Sequence, residues 1–253
     1  MVILKSPEEI RKLRGNNLMV ARILEALKKI IRPGVTTLEL DRYCEELTLQ
    51  KGAKPAFKGY RGYPFSLCTS VNEEVVHGMP SDRRLEEGDI VGLDFGIYHQ
   101  GFYGDAAVTV PVGEVSDEAG RLMRVTEEAL YRAIEKARAG NRLGDISAAI
   151  QNHVEAAGYS VVRDLVGHGI GRSLHEDPQV PNYGREGRGI ELRPGIVLAI
   201  EPMVNAGTYG VKVLQDGWTV VTADGKLSAH FEHSVAITEK EPFVLSRIDG
   251  RPD

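Results

Sequence analysis

The sequence is poor in several features that would mark particular classes of protein. Two cysteines, Cys44 and Cys68, occur among its 253 residues, too few for a disulfide scaffold and not spaced as a CxxC motif. The chain has no apolar run of about 18 residues, so we predict no membrane span. Its first residues, MVILKSPEEIRKLR, lack the apolar core of a signal peptide. These absences predict a cytoplasmic location.

An excess of positive charge and the common phosphate-binding and hydrolase motifs are also missing. The net charge is -5, whereas nucleic-acid-binding proteins usually show a basic excess, so we expect no nucleic-acid partner. There is no GKS or GKT loop, no GxSxG elbow and no HExxH helix, which excludes the usual P-loop, α/β-hydrolase and zincin chemistry. The segment Gly167–Gly171 lacks the full GxGxxG spacing of a dinucleotide loop.

The helices and strands that can be predicted form two similar series. Ser6, Pro7 and Glu9 form a capping box at the start of a helix that the apolar spacing extends to Ile31. Further helices are predicted at residues 37–50, about 117–137 and about 145–157. Strands are predicted at residues 66–71, 89–98 and 102–110, the last two forming a hairpin around Gln100-Gly101.

The second half of the sequence repeats parts of the first. The segment Leu85–Asp94 aligns without gaps with Leu192–Glu201, and both end an apolar strand on an acid. The Arg-Pro-Gly of residues 32–34 corresponds to the Arg-Ala-Gly of residues 138–140, and HGMP at 77–80 corresponds to HEDP at 175–178. We therefore predict an internal duplication, with α+β halves at about 1–112 and 113–253 fused into a single catalytic domain.

Four acids stand in strand-like apolar surroundings: Asp94, Asp105, Glu201 and Glu232. A buried carboxylate must be protonated or find a partner. A distant arginine or a capped turn would explain any one of them. The four together with histidines favour two divalent metal ions, whose charge would balance four carboxylates. Oxygen ligands with an imidazole suit Mn, Fe(II), Co or Zn.

Three of the seven histidines stand out by their settings. His168 lies between glycines in VGHGIG, where the backbone can approach a ligand closely. His77 and His175 each precede a proline turn. His99 and His153 are interpreted as solvated side chains. His230 and His233 flank Glu232 and are expected to point away from it, with a structural role or a contact to the metal ligands.

Six motifs together resemble the type I methionine aminopeptidases of the bacterial kind: NEEVVHGMP, GDIVGLDFG, GFYGDAAVTV, VGHGIGRSLHEDP, AIEPMVN and HFEHSVAIT. The resemblance runs from about Ser6 to Thr238. It implies the pita-bread fold, an α/β (α+β) fold of duplicated halves with a central antiparallel sheet, helices on its outer face and a metal site at its centre.

The resemblance also implies roles for particular residues. The metal ligands would be Asp94, Asp105, His168, Glu201 and Glu232. The catalytic residues would be His77, His175 and Glu201, the two histidines also contacting substrate. The methionine pocket would be lined by Tyr60, Tyr63, Cys68 and Trp218. Phe57 and Leu174 are positions where this chain departs from the expected pocket residues.

The implied activity is removal of the N-terminal methionine from nascent polypeptides with a small second residue, by hydroxide activated between two divalent ions (Co, Mn, Fe(II) or Zn). The protein would act as a cytoplasmic monomer near the ribosome, without membrane partners. Three alternatives remain: a prolidase or aminopeptidase P, which usually has an additional N-terminal domain; a binding module that has lost its metal; and a Mg²⁺-dependent phosphoryl-transfer or nuclease site.

Overall fold

The computed structural model describes residues 2–248. This part of the chain forms the helices α1 (Pro7–Lys28), α2 (Thr37–Gln50), α3 (Asp117–Lys136) and α4 (Leu143–Ala156). The first strands are β1 (Lys54–Pro55), β2 (Cys68–Val71), β3 (Glu74–Val76), β4 (Ile90–His99), β5 (Phe102–Pro111), β6 (Ser160–Val161), β7 (Val166–Gly169) and β8 (Glu176–Pro181). The remaining strands are β9 (Val197–Ile200), β10 (Met203–Asn205), β11 (Val211–Val213), β12 (Val220–Thr222), β13 (Ser228–His230), β14 (Glu232–Ala236) and β15 (Phe243–Val244). None of the helices within residues 2–248 has the length and apolar character of a membrane span.

The predicted capping box of α1 is confirmed. The Ser6 hydroxyl accepts from the Glu9 backbone N–H at 3.3 Å, and the Glu9 carboxylate accepts from the Ser6 N–H at 2.8 Å. The helix ends at Lys28 rather than continuing to Ile31, because a turn follows at Lys29 and Ile30. Ile30 and Ile31 still pack against the core, so their apolar spacing reflects burial and not helix.

The fourth helix begins earlier than the sequence predicted. Asp145 was expected to start α4, but the helix begins at Leu143 and Asp145 occupies its third position. The Asp145 carboxylate accepts a hydrogen bond of 2.7 Å from the Arg142 backbone N–H. The acid therefore stabilises the helix start from inside the first turn.

A nine-stranded antiparallel sheet forms the centre of the fold. Its strand order is β1-β4-β5-β14-β9-β7-β8, with β2 also paired to β4 and β15 to β14. The predicted hairpin is confirmed as β4 and β5, and both turn residues are left-handed, with φ of 49° at Gln100 and 84° at Gly101. Alternation along β4 directs Leu93 and Phe95 into the core beneath α1 and α2, which leaves Asp94 on the opposite face.

The duplication is visible as matching hydrogen bonds in the two halves. In each half, the backbone N–H of a glycine that precedes a helix donates to the carbonyl of the leucine that begins the aligned segment. The N–H of that leucine donates in turn to the carbonyl of the residue after the glycine. The bonds are Gly34 N to Leu85 O (2.8 Å) and Leu85 N to Val35 O (2.8 Å), then Gly140 N to Leu192 O (3.0 Å) and Leu192 N to Asn141 O (2.8 Å). The gapless alignment in sequence therefore corresponds to a repeated packing arrangement.

Candidate metal centre

The sheet register brings three of the four acids together. Strand β5 lies between β4 and β14, and its Ala107 pairs with Asp94 of β4 on one side and with Glu232 of β14 on the other. Asp105 precedes Ala107 by two residues on β5, so its side chain is directed to the same face. Three neighbouring strands thus contribute one carboxylate each to a common surface.

The second half of the sheet adds Glu201 and His168. Glu201 follows directly after β9, and His168 on β7 pairs with Ala199, two residues before Glu201. The His168 Nε2 atom lies 3.5 Å from Glu201 Oε1 and 4.0 Å from Asp105 Oδ2. One potential metal-ligand atom from each of Asp105, His168 and Glu232 lies within 4.8 Å of the other two. This spacing suits a shared cation.

Asp105 and Glu232 are buried and Asp94 and Glu201 are partly buried, and several of their oxygens have no partner. Asp105 and Glu232 are each 3% exposed. Among the residues described, no hydrogen bond reaches Asp94 Oδ1, Asp105 Oδ1 or Glu232 Oε1, although all three atoms are buried. Unpaired buried oxygens are costly, and a divalent cation is the partner that an oxygen-rich cluster with one imidazole fits.

Burial also shifts the pKa of each carboxyl group upward. Desolvation raises the pKa of Asp94 and of Glu201 to about 7, against the opposing charges of His230 and His168 respectively. The pKa values of Asp105 and Glu232 are raised well above their usual range, first by desolvation and then by neighbouring carboxylates. A bound cation would reverse these shifts because it stabilises the ionised forms.

The structure brings every predicted site residue into the lining of one cavity of about 150 Å³. The predicted residues that line it are Tyr60, Tyr63, Cys68, His77, Asp94, Asp105, His168, His175, Glu201, Trp218 and Glu232. Phe57 and Leu174, the two noted departures, line it as well. The acids and His168 thus share a compact space with an aromatic and apolar wall.

His175 stands at the mouth of this cavity, held by Tyr60. The Tyr60 hydroxyl lies 2.9 Å from His175 Nδ1, and their rings stack at a centroid distance of 5.3 Å. The His175 ring is 4.2 Å from that of His168. Desolvation, followed by repulsion from His168 and Arg61, lowers the pKa of His175 and favours its neutral ring.

His77 is held in an unusual backbone conformation. Its φ is 60°, in the left-handed region that residues other than glycine rarely adopt. The following residue, Gly78, accepts a hydrogen bond of 2.8 Å from the Thr69 N–H and donates one of 3.2 Å to Ser70 Oγ. Desolvation lowers the pKa of His77 to about 4. Strain of this kind often occurs where a side chain is directed into a functional cavity.

The apolar wall of the cavity is built around Tyr63. Its hydroxyl donates to the Leu67 and Gly78 carbonyls, both at 3.1 Å, and its ring packs edge-on against Trp218 at 5.1 Å. Cys68 is 4% exposed beside it, and burial raises the pKa of the Cys68 thiol. A buried, protonated thiol is a wall residue and not a nucleophile.

The prediction for His233 is confirmed, because its side chain is directed away from Glu232, with Nδ1 2.8 Å from Ser246 Oγ. The His230 Nε2 atom lies 3.6 Å from Glu201 Oε2, so His230 contacts a predicted ligand, which is one of the two roles expected for it. Residues two apart share a face along a continuous strand, but β13 ends at His230 and β14 begins at Glu232, so strand alternation does not relate these two side chains.

One cavity residue was missed altogether. Arg61 lines the cavity beside Tyr60, in a short 3₁₀ turn where its own φ is 50°. It stands in a glycine-rich loop without helical or strand periodicity. No sequence pattern would have directed attention to it.

Comparisons with known proteins agree with this architecture. Residues 11–239 match the profile of metallopeptidase family M24. The methionine aminopeptidase of Clostridium perfringens is 56% identical over 248 residues, which cover 98% of this chain and 100% of that protein. A crystal structure of methionine aminopeptidase from Thermotoga maritima has a TM-score of 0.96 at 50% identity, covering 98% of this chain and 100% of that one.

A more distant structure shows the fold alone. The prolidase of Pyrococcus horikoshii has a TM-score of 0.79 at 24% identity, and the match covers 98% of this chain but 65% of that one. The predicted pita-bread fold is therefore confirmed. Since the family profile and full-length relatives both span nearly all of its sequence, the chain belongs to metallopeptidase family M24, among the methionine aminopeptidases.

Proposed function

We propose that this protein removes the N-terminal methionine from nascent polypeptides, with a preference for a small second residue. The observation that carries the proposal is the shared cavity, in which four carboxylates and His168 face an aromatic and apolar wall. The names of the full-length relatives support the same activity. The chain would act as a single catalytic domain, with halves meeting near residue 112, as a cytoplasmic monomer close to the ribosome.

The acids and His168 fit a pair of divalent ions. Asp94, Asp105, His168, Glu201 and Glu232 would hold the ions. Mn, Fe(II), Co and Zn all suit such an oxygen-rich set. Bound divalent ions would supply Lewis-acid polarisation of the scissile carbonyl and a nucleophile at neutral pH.

His175 is placed to stabilise charge on the carbonyl oxygen of the substrate. Its ring is neutral, so the tautomer decides whether Nε2 can donate a hydrogen bond. When the Tyr60 hydroxyl donates to Nδ1, the ring proton resides on Nε2. Nε2 then becomes a preorganised donor for the oxygen on which negative charge develops.

Glu201 and His77 would act on the leaving group. Glu201 lies between His168 Nε2 at 3.5 Å and His230 Nε2 at 3.6 Å. From there its carboxylate would accept a proton from the attacking water and, once protonated, donate that proton to the leaving amine. His77 lines the same cavity and packs edge-on against Trp218 at 6.5 Å, where it would contact the scissile amide.

The wall around Tyr63, Cys68 and Trp218 would hold the methionine side chain. An unbranched thioether fits an irregular aromatic pocket well and gains favourable sulfur–aromatic contacts. The cavity of about 150 Å³ would accommodate one side chain beside the ligands.

Cleavage of short peptides distinguishes a methionine aminopeptidase from a peptidase that cleaves prolyl bonds. The chelated protein, restored with Mn²⁺, Co²⁺ or Fe²⁺, would be given Met-Ala-Ser, Ala-Ala-Ser and Ala-Pro. We expect release of methionine from the first peptide, with little release of alanine from the others. Cleavage of Ala-Pro but not of Met-Ala-Ser would overturn the proposal, as would cleavage of none by protein with bound metal.

A further inference from the structure

The backbone of Asp105 lies where two central strands separate. β14 pairs with β5 at Glu232 and His233, and beyond His233 it pairs with β15 instead. The next residue, Ser234, directs its N–H to Ser246 Oγ at 3.2 Å, away from β5. In the described part of the sheet, the pairing of β5 with β14 therefore ends at Ala106, the residue that follows Asp105.

Two buried side chains take the place of the missing strand. The Asp105 N–H donates to Asn17 Oδ1 at 3.2 Å, and the Ser234 hydroxyl donates to the Asp105 carbonyl at 2.9 Å. Asn17 and Ser234 are both 0% exposed. The Asn17 amide nitrogen donates to the Leu13 carbonyl at 2.9 Å, which fixes the side chain along α1 with its oxygen toward Asp105. The N–H and the carbonyl of Asp105, which β14 no longer pairs with, therefore both have hydrogen-bond partners.

A glycine makes this contact with α1 possible. A Cβ atom at Gly104 would lie 2.9 Å from the backbone carbon of Asn16 and 2.9 Å from the backbone nitrogen of Asn17. These are backbone atoms of a helix, which cannot move aside as a flexible side chain would. The absence of a side chain at Gly104 therefore lets α1 approach β5 closely enough for Asn17 to reach Asp105.

We propose that Asn17 and Ser234 are positioning residues for the carboxylate of Asp105. The inference rests on the proposed function, because it takes Asp105 as a metal ligand. At Asp105 strand β5 stays paired with β4 but has no strand on the side of β14, so without these two contacts the Asp105 backbone would be held on one side only. Donors around a metal must be held to within about 0.5 Å, and loss of an outer hydrogen-bond partner typically weakens metal affinity about 10–100-fold.

Metal affinity in the absence of substrate tests the inference. Mn²⁺ would be titrated calorimetrically into chelator-treated full-length wild type, Asn17→Ala and Ser234→Ala. Asn16→Ala is the matched control: Asn16 is the adjacent residue of α1, is 2% exposed and donates to the His99 and Phe102 carbonyls, both at 2.9 Å, at the far end of the hairpin. Thermal unfolding of each metal-free variant would report its stability separately.

We expect Asn17→Ala and Ser234→Ala to raise the Kd for Mn²⁺ by about 10-fold or more, and Asn16→Ala to change it less than twofold. A purely structural role would lower the unfolding midpoint and leave the Kd of the folded protein unchanged. The inference is overturned if both variants bind Mn²⁺ like wild type, or if Asn16→Ala weakens binding equally. If Asn17→Ala does not fold, Ser234→Ala, which loses a single hydroxyl, decides the question. Wild type that binds no Mn²⁺ would instead contradict the proposed function.

Discussion

At the scale of single residues, Asp105 and Glu232 show how function and stability oppose each other in the metal-free protein. Each is 3% exposed, and burial with neighbouring carboxylates raises both pKa values. Asp105→Asn and Glu232→Gln keep the shape of the side chain and replace its buried, ionisable carboxyl group with a neutral amide. We expect each to raise the unfolding midpoint of the chelated protein at pH 8 while reducing methionine release at least about 100-fold.

Thermal unfolding in chelator and initial rates in Mn²⁺ would measure these two effects on the same preparations. Asn16→Ala again serves as the control, because its contacts lie at the hairpin turn. A metal-bound Asp105→Asn or Glu232→Gln variant that worked at the full rate would refute the assignment of that residue as a metal ligand.

His175 and Tyr60 give a second prediction at this scale. Since the proposed contact of His175 forms mainly in the transition state, His175→Ala should lower kcat by about 10²–10³-fold with little rise in KM. Tyr60→Phe removes the hydroxyl 2.9 Å from Nδ1 and keeps the stacked ring, so it should lower kcat less. Steady-state kinetics on Met-Ala-Ser would separate the two constants. An effect of His175→Ala on KM alone would argue against its role.

The residues that the sequence could predict are those with a distinctive local setting. Asp94 and Glu201 end apolar runs that align with one another, and His168 is flanked by glycines, so each was identifiable from its neighbours. Asn17 and Ser234 had no such signal. Their importance comes from contacts with Asp105 across 88 and 129 residues of sequence, which become visible when the strands are assembled.

At the scale of elements, the turn after β3 offers a sharp test of packing. A Cβ atom at Gly78 would lie 2.2 Å from the Thr69 carbonyl oxygen. Gly78→Ala should therefore displace the turn that carries His77 and lower both stability and kcat. Gly120→Ala is the control, because a Cβ there meets nothing within 4 Å and alanine favours the helical backbone of α3. It should stabilise the protein by up to about 1 kcal/mol.

Urea unfolding and steady-state kinetics of both glycine variants would check this prediction. Wild-type stability and kcat in Gly78→Ala would show that the turn can move without disturbing the site. That result would contradict the view that close backbone packing fixes His77.

Elements with strong local signals were predicted well, and those made by long-range pairing were not. α2 has the predicted bounds, and the hairpin of β4 and β5 follows from its turn. The break between β13 and β14 at Phe231 had no sequence signal, because it results from β13 pairing with β10 while β14 pairs with β9. Because of that break, strand alternation does not relate the side chains of His230 and Glu232.

At the scale of the whole molecule, the buried groups predict how stability depends on pH. The carboxyl pKa values are raised to about 7 at Asp94 and Glu201, so the folded metal-free protein holds protons that the unfolded chain has lost. Stability from this source is present below about pH 4 and is lost as pH rises through about 7. The lowered pKa values of His77 and His233, about 4 each, act in the opposite sense between pH 4 and 6.5.

The histidine effect fades above pH 6.5, where the unfolded chain also loses its imidazole protons, so the carboxylates increasingly dominate. We expect the chelated protein to lose stability between pH 6.5 and 8, by at most about 1.4 kcal/mol per pH unit for each carboxyl proton and less above the folded pKa values of about 7. With saturating Mn²⁺ the trend should reverse, because protons and metal compete for the same oxygens. Unfolding midpoints at both pH values, with chelator and with Mn²⁺, check the prediction. A chelated protein that gains stability over this range would contradict it.

The central claim is that metal held by the buried acids is what makes the protein an aminopeptidase. The most direct measurement adds Mn²⁺ stepwise to chelated protein, counts the ions bound and records methionine release from Met-Ala-Ser in the same samples. The account predicts no release without metal and release that rises with occupancy, up to two ions per chain. Release in the presence of excess chelator, or a protein saturated with Mn²⁺ that releases no methionine, would contradict it.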